Sequence, residues 1–271
     1  MKPIFRTLAA LAFAAGLGAC GTTFQLPEPG QAQSQAATRM FADARSQGPR
    51  KTLSAAAAER RFKRVAARIS PVGRKYCETL TAERSNFDCN VNIGIDRKMK
   101  QRNAYFTYRE DKPVIRISMP MLRDSASDDE VAFILSHEYG HLLGRHIEKQ
   151  KQQALAGALI LGVITAAATA DSGYYDPSLV STSMDVGAAA GSTAYSQTYE
   201  LESDTLGTRI AHASGYDPVE GARFFARPEA ARTEAGRLSF WGTHPPDAKR
   251  LATVLATMEQ IDAKVELQKV Q

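Results

Sequence analysis

The sequence predicts an α+β fold, mainly helical, with a small antiparallel sheet packed beside one buried helix. Two patterns and one short motif predict it. Apolar residues recur at helical spacing near both ends of the folded region: Leu53, Phe62, Val65 and Ile69, then Leu251, Val254, Leu255, Met258 and Ile261. Three short runs rich in β-branched and aromatic residues, 91–95, 104–108 and 114–118, lie between them and are bounded by Asp, Arg, Asn and Lys-Pro. The motif is Ser136-His137-Glu138-Tyr139-Gly140-His141, entered through the apolar run 131–135 behind Asp128, Asp129 and Glu130. Acidic residues suit a helix N-terminus. On a helix turning ~100° per residue, His137 and His141 stand ~40° apart and share one face. Two such imidazoles can bind one Zn2+, and Glu138 between them can take a proton from water.

The chain has 271 residues, 44% hydrophobic and 23% charged, which suits one catalytic-sized globular domain. Its formal charge of +5 includes Lys2 and Arg6 of an N-terminal signal, which leaves 5 − 2 = +3. That balance, with no basic-aromatic module, argues against nucleic acid as a partner.

Taken in order, Lys2 and Arg6 form a basic start and 8–17 a short apolar run. The run is too short to span a bilayer, which takes ~20 residues. Leu17-Gly18-Ala19-Cys20 resembles the lipobox of bacterial lipoproteins, so 1–19 reads as a signal peptide removed before acylated Cys20. The alternative is a plain secretory signal with an incidental cysteine. Gly21, where Asp would retain a lipoprotein at the inner membrane, implies the outer membrane of a Gram-negative envelope. Only Cys77 and Cys89 then remain, and in an oxidising compartment they read as a disulfide rather than free thiols. Residues 20–50, rich in Gln, Ala, Pro and Ser, read as a lipidated N-terminus and flexible tether, with the folded domain at 51–271.

The stretch 52–69 predicts a helix whose Arg-rich face is solvated. In the run 114–118, Ile115 and Ile117 alternate with Val114, Arg116 and Ser118, so one sheet face is buried. A sheet edge beside the His-bearing helix can pair with an extended peptide. That helix extends from Ser127 to about Gln153. The segment 154–198 reads as an apolar, Gly-rich insertion or lid: 154–170 carries no charge, and a buried helix or hairpin with a mobile loop is favoured over a membrane-contacting element or an oligomer face. Further helices follow at 199–213, 219–226 and 247–265.

A catalytic zinc takes three protein ligands and one open position. His146 lies ~180° round a continuous helix from His137 and falls one residue short of the metzincin spacing. Glu200 and Asp204, four apart on a predicted helix, can both face a metal. The lipobox, H-E-x-x-H, E-x-x-x-D and the Thr243-His244-Pro245 segment ending at Arg250 together resemble the HtpX/Oma-like zinc peptidases of family M48, in particular its periplasmic lipoprotein members. The resemblance spans roughly 70–265, with Ser203 where the family carries Ala. It implies a zincin catalytic domain of the gluzincin type, holding one Zn2+ per chain on His137, His141 and Glu200. Glu138 is then the general base, and Asp204 orients a ligand histidine.

His244 has two functional readings, an oxyanion donor or a latch on the open zinc position, beside a structural turn-capping role. Arg250 anchors that segment through a carboxylate. Glu202 reads as a solvated charge and His212 as structural. The expected activity is a zinc endopeptidase of the cell envelope, hydrolysing unfolded or misassembled envelope proteins. Its other expected partners are the membrane, reached through the lipid, and outer-membrane assembly machinery or other envelope proteases. The competing function is a non-catalytic chaperone or assembly factor with a closed, structural zinc site.

Overall fold

The computed structural model describes residues 21–46, 52–171, 176–192, 197–226 and 239–270. Lys2, Arg6, Cys20 and the rest of the expected signal segment lie outside them. The described chain divides into a larger unit, Thr23–Gly144 with Tyr199–Gln271, and a smaller one containing Arg145–Thr198.

The larger unit opens differently from a loose tether. Phe24 bridges to Lys269, Gln25 N–H donates to the Gln268 carbonyl at 2.9 Å, and helix α1 (Gln31–Ser46) packs on the last helix. Phe24, Ala37, Phe41 and Ala44 are buried there. In a segment so poor in large apolar residues, these few supply the burial that offsets the cost of ordering the chain.

Helix α2 (Ala55–Leu80) starts at Ser54, whose hydroxyl accepts from Ala57 N–H, and runs eleven residues past the periodic stretch, through Pro71. Cys77 near its end is disulfide-bonded to Cys89, which pins the following loop. Its arginines are not all solvated, since Arg61 and Arg64 both bond Asp128.

Strands β1 (Asn92–Asp96), β2 (Ala104–Arg109) and β3 (Lys112–Ser118) form one sheet in the order β1-β3-β2. The sheet is mixed, not antiparallel. Glu110 and Asp111, at φ 51° and 59°, make a two-residue turn that fixes β2 antiparallel to β3. β1 takes the opposite edge of β3 and runs parallel to it, Ile93 beside Ile115 and Ile95 beside Ile117. As the central strand, β3 is covered on both faces beyond its exposed first residue Lys112: Val114 and Ser118 are buried along with Ile115 and Ile117, and Arg116 is partly open.

After the short helix α3 (Met119–Asp124) comes α4 (Asp128–Leu143), which carries the motif. Ser127 accepts from Glu130 N–H, and the Glu130 carboxylate returns to Ala126 N–H at 2.6 Å, a reciprocal cap on its first turn. Every residue from Glu130 to Leu143 is buried, with α2, β2, β3 and a later helix packed around it. The helix is shorter than the sequence reading. It ends at Gly144, and Arg145 adopts φ +57°, a left-handed residue that stops helical propagation.

The chain then forms the smaller unit, a hairpin of α5 (His146–Asp171) and α6 (Pro177–Ser192). It does not read as a buried pair, because Leu155, Leu159, Val163 and Ile164 are each more than half exposed. The larger unit resumes with α7 (Gln197–Ala213), α8 (Pro218–Ala222) continuing into the 3-10 turn Arg223–Ala226, α9 (Phe240–Thr243) and α10 (Ala248–Asp262).

Candidate active site

Two helices cross at the site with their backbones nearly touching. A Cβ on Gly140 of α4 would lie 2.5 Å from Ser203 Cα, and one on Gly207 of α7 would lie 2.9 Å from His137 N. The absence of those two methyl groups lets α7 lay Glu200 against the two α4 histidines. His141 Nε2 is 3.0 Å from His137 Nε2, and the Glu200 carboxylate lies 3.4 Å from His137 Nε2 and 3.5 Å from His141 Nε2. The third element is the turn after α9. His244 caps that helix, stacks on Phe240 at 4.4 Å, and brings Nδ1 to 3.3 Å from His137 Nε2 and 3.0 Å from Glu200.

Among the described residues, His137, His141, Glu200 and His244 thus form one buried group whose ligand atoms all lie within 4.8 Å of each other. Ligands ~2.0–2.1 Å from a tetrahedral ion stand ~3.4 Å apart, so these separations fit a metal, and three imidazoles with one carboxylate suit zinc. The resemblance implied Glu200 as third ligand and left His244 between an oxyanion donor and a latch; the structure brings both side chains into one group with the two α4 histidines.

The surrounding residues hold that group in place. His137 Nδ1 is 2.9 Å from Asp204 Oδ1, which fixes the ring and leaves Nε2 for the metal. Arg250 grips Asp204 with two bonds of 2.7 Å, reaches Glu200 at 2.9 Å and donates to the His244 carbonyl at 3.3 Å. Its guanidinium also sits 3.7 Å over the Phe225 ring. One arginine therefore ties the α7 carboxylates to the His244 turn.

The electrostatics separate the two buried glutamates. Burial alone raises a carboxyl, yet His244 and Arg250 hold Glu200 well below its usual range. Burial dominates at Glu138 and pushes it up. Burial likewise lowers the His137 imidazolium, but Asp204 and Glu200 outweigh it and hold it at about 9. Those carboxylates that favour a proton on His137 equally favour a cation between the rings. Glu138 has neither oxygen in a hydrogen bond of good geometry; its polar neighbours are the Phe106 backbone and His244 Nε2, 3.6 Å away.

Sequence reasoning missed three parts. Glu202 is not solvated: it is fully buried and accepts from Thr23 N–H and Phe24 N–H, both at 2.6 Å. Phe225 and Phe240, which flank Arg250 and His244, carry no local signature. The role of Gly140 was readable only once the crossing helix was known. His212 joins no metal group among the described residues, and Cys20 lies outside them.

A buried H-E-x-x-H helix completed by a glutamate from a second helix defines a zincin-like metallopeptidase site. The description Peptidase family M48 matches residues 65–258, and the chain belongs to that family. It is 26% identical over 186 residues to Metalloprotease LoiP of Escherichia coli (strain K12), covering 68% of this chain and 71% of that protein. It is 27% identical over 150 residues to Mitochondrial metalloendopeptidase OMA1 of Schizosaccharomyces pombe (strain 972 / ATCC 24843), covering 55% of this chain and 41% of that longer protein. The chain is therefore a metallopeptidase.

Proposed function

We propose that this metallopeptidase is a zinc endopeptidase of the bacterial cell envelope, held at the outer membrane through acylated Cys20 and acting on misfolded or misassembled envelope proteins. The observation that carries the reaction is the pairing of a complete donor set with Glu138, buried beside it. When bound, the metal supplies Lewis acidity that makes water acidic enough to act near neutral pH. His137, His141 and Glu200 hold it, while Asp204 and Arg250 hold them. Glu138, with burial raising its carboxyl, accepts the proton of the attacking water and returns it to the leaving amine. The edge strand β2, whose Phe106 backbone lies by Glu138, offers an extended peptide a strand to pair with.

Metal content with hydrolysis of unfolded casein tests this reading. Glu138→Gln is expected to keep its metal and lose turnover by several orders of magnitude, whereas His137→Ala and Glu200→Ala lose the metal. Full activity in purified Glu138→Gln refutes the mechanism. For location, Cys20→Ser is expected to leave the membrane fraction, and a wild type found wholly in the soluble periplasm refutes the anchor.

His244 is read as a latch. Its Nδ1 stands in the donor set and its Nε2 faces Glu138, so the ring occupies the space between ligands and base that water needs. A closed four-donor site also suits a structural metal, but a structural site has no use for a buried, poorly bonded carboxylate like Glu138. His244→Ala is expected to raise basal proteolysis; a variant with intact metal and depressed turnover assigns it instead to stabilising the oxyanion.

A further inference from the structure

The α5–α6 hairpin is built inside out for water. Every exposed side chain of α5 from Leu155 to Ala168 is apolar, with Leu155 at 62% and Val163 at 67% exposure. The covered side is small: Ala158 and Gly162, with a Cβ on Gly162 reaching 2.6 Å from Met184 of α6. A helix pair in water turns its large apolar residues inward and its polar ones out. Among acyl chains nothing is gained by turning leucine inward, and small residues make the closer helix contact.

The attachment of the hairpin says which lipid is in reach. Thr23 Oγ1 donates to the Gly144 carbonyl at 3.1 Å. Thr23 follows Cys20 by three residues, at most ~11 Å of extended chain. Gly144 immediately precedes Arg145, the first residue of the smaller unit. The points where the larger unit releases its chain toward Cys20 and toward the hairpin are thus bonded to each other.

By length and composition His146–Thr169 could cross a membrane. Both ends of the hairpin return to the larger unit, however, so a crossing by α5 demands a return crossing by α6. With 16 residues, α6 is about 24 Å long, short of the ~30 Å hydrocarbon core. It also carries exposed Asp185. Insertion into a single leaflet satisfies both limits.

We propose that the α5–α6 hairpin beds into the membrane leaflet that holds the Cys20 lipid, with the exposed face of α5 against acyl chains. The choice of leaflet rests on the lipoprotein reading above. The test uses the lipidated full chain in vesicles of phosphatidylethanolamine and phosphatidylglycerol, carrying Val163→Cys labelled with an environment-sensitive fluorophore. Acylation of Cys20 and the Cys77–Cys89 disulfide leave no competing thiol.

Lipid-borne quenchers are expected to quench that label several-fold more than the same label at Lys98→Cys in the larger unit. Equal quenching, with Cys20 acylation verified by mass, overturns the proposal and leaves the lipoprotein reading standing. Chain-to-chain cross-linking through Val163→Cys without quenching gives the face to a second copy and also overturns it. A mass showing Cys20 without an acyl group removes the lipoprotein reading and, with it, the choice of leaflet. Leu159→Ser with Ile164→Ser, both at exposed positions, is expected to cut quenching of the Val163→Cys label in the lipidated chain several-fold.

Discussion

At the scale of single residues, the site is a contest between burial and charge, and Arg250 decides it. It is 1% exposed; burial works against its charge, and the carboxylates of Asp204 and Glu200 outweigh that burial. Lysine cannot replace it, because one ammonium cannot grip both Asp204 oxygens, reach Glu200 and lie flat on Phe225. Arg250→Lys is therefore expected to lower metal affinity by about 10–100-fold, the usual effect of losing a partner that orients a ligand. Competition with a chelator reads this directly, and unchanged affinity makes Arg250 a spectator. The residues legible in the sequence were those whose chemistry is encoded by local spacing. His137, Glu138 and His141 are one helical turn, and Glu200 and Asp204 another. Glu202 was misread because nothing local distinguishes a buried acceptor of two backbone N–H groups from any charge on a helix.

At the scale of elements, the site depends on how closely α4 and α7 approach. Gly140→Ala puts a methyl 2.5 Å from Ser203 Cα and 2.7 Å from its carbonyl oxygen, backbone atoms that no rotamer change can move. The helices must separate, and overpacking of this kind costs roughly 1–3 kcal/mol. Since Glu200 rides on α7, metal retention is expected to fall with stability; a Gly140→Ala protein with full metal content contradicts that coupling. The N-terminal end of α4 is fixed by Asp128, which the Arg64 and Arg61 guanidinium groups hold below its ordinary carboxyl range. A depressed folded pKa gives stability that is present above the unfolded value near ~3.9 and is lost as pH falls through the folded one. Asp128→Asn is expected to flatten that acid limb of a urea-unfolding series and to cost roughly 1–2 kcal/mol near neutrality. An unaltered acid limb assigns the pH dependence elsewhere. Element types were largely legible, because periodicity is local. Pairing partners were not: alternation in 114–118 cannot say that a parallel neighbour covers β3. The break after Leu143 was hidden too, because Arg145 takes a left-handed conformation that glycine or asparagine would have advertised.

At the scale of the molecule, the order of the chain ties its first described residues to its catalytic helix. Glu202 stands between Glu200 and Asp204 on α7 and receives the backbone N–H groups of Thr23 and Phe24. The C-terminal tail closes the same place, with Val270 N–H donating to the Thr23 carbonyl at 2.9 Å. Composition hid this arrangement: a segment of Gln, Ala, Pro and Ser has the makeup of a linker, and only Phe24 and Phe41 carry large buried surface. A tether and a packed strap make different predictions for one substitution. Phe24 is 1% exposed. If residues 21–46 are part of the core, Phe24→Ala leaves a cavity and is expected to cost about 3–5 kcal/mol. If they were a loose tether, the change would fall within about 0.5 kcal/mol. Urea unfolding of the full chain, followed by the fluorescence of buried Trp241, separates the two. A midpoint unmoved by Phe24→Ala would return the segment to a linker and detach the first described residues of the chain from the helix that supplies Glu200.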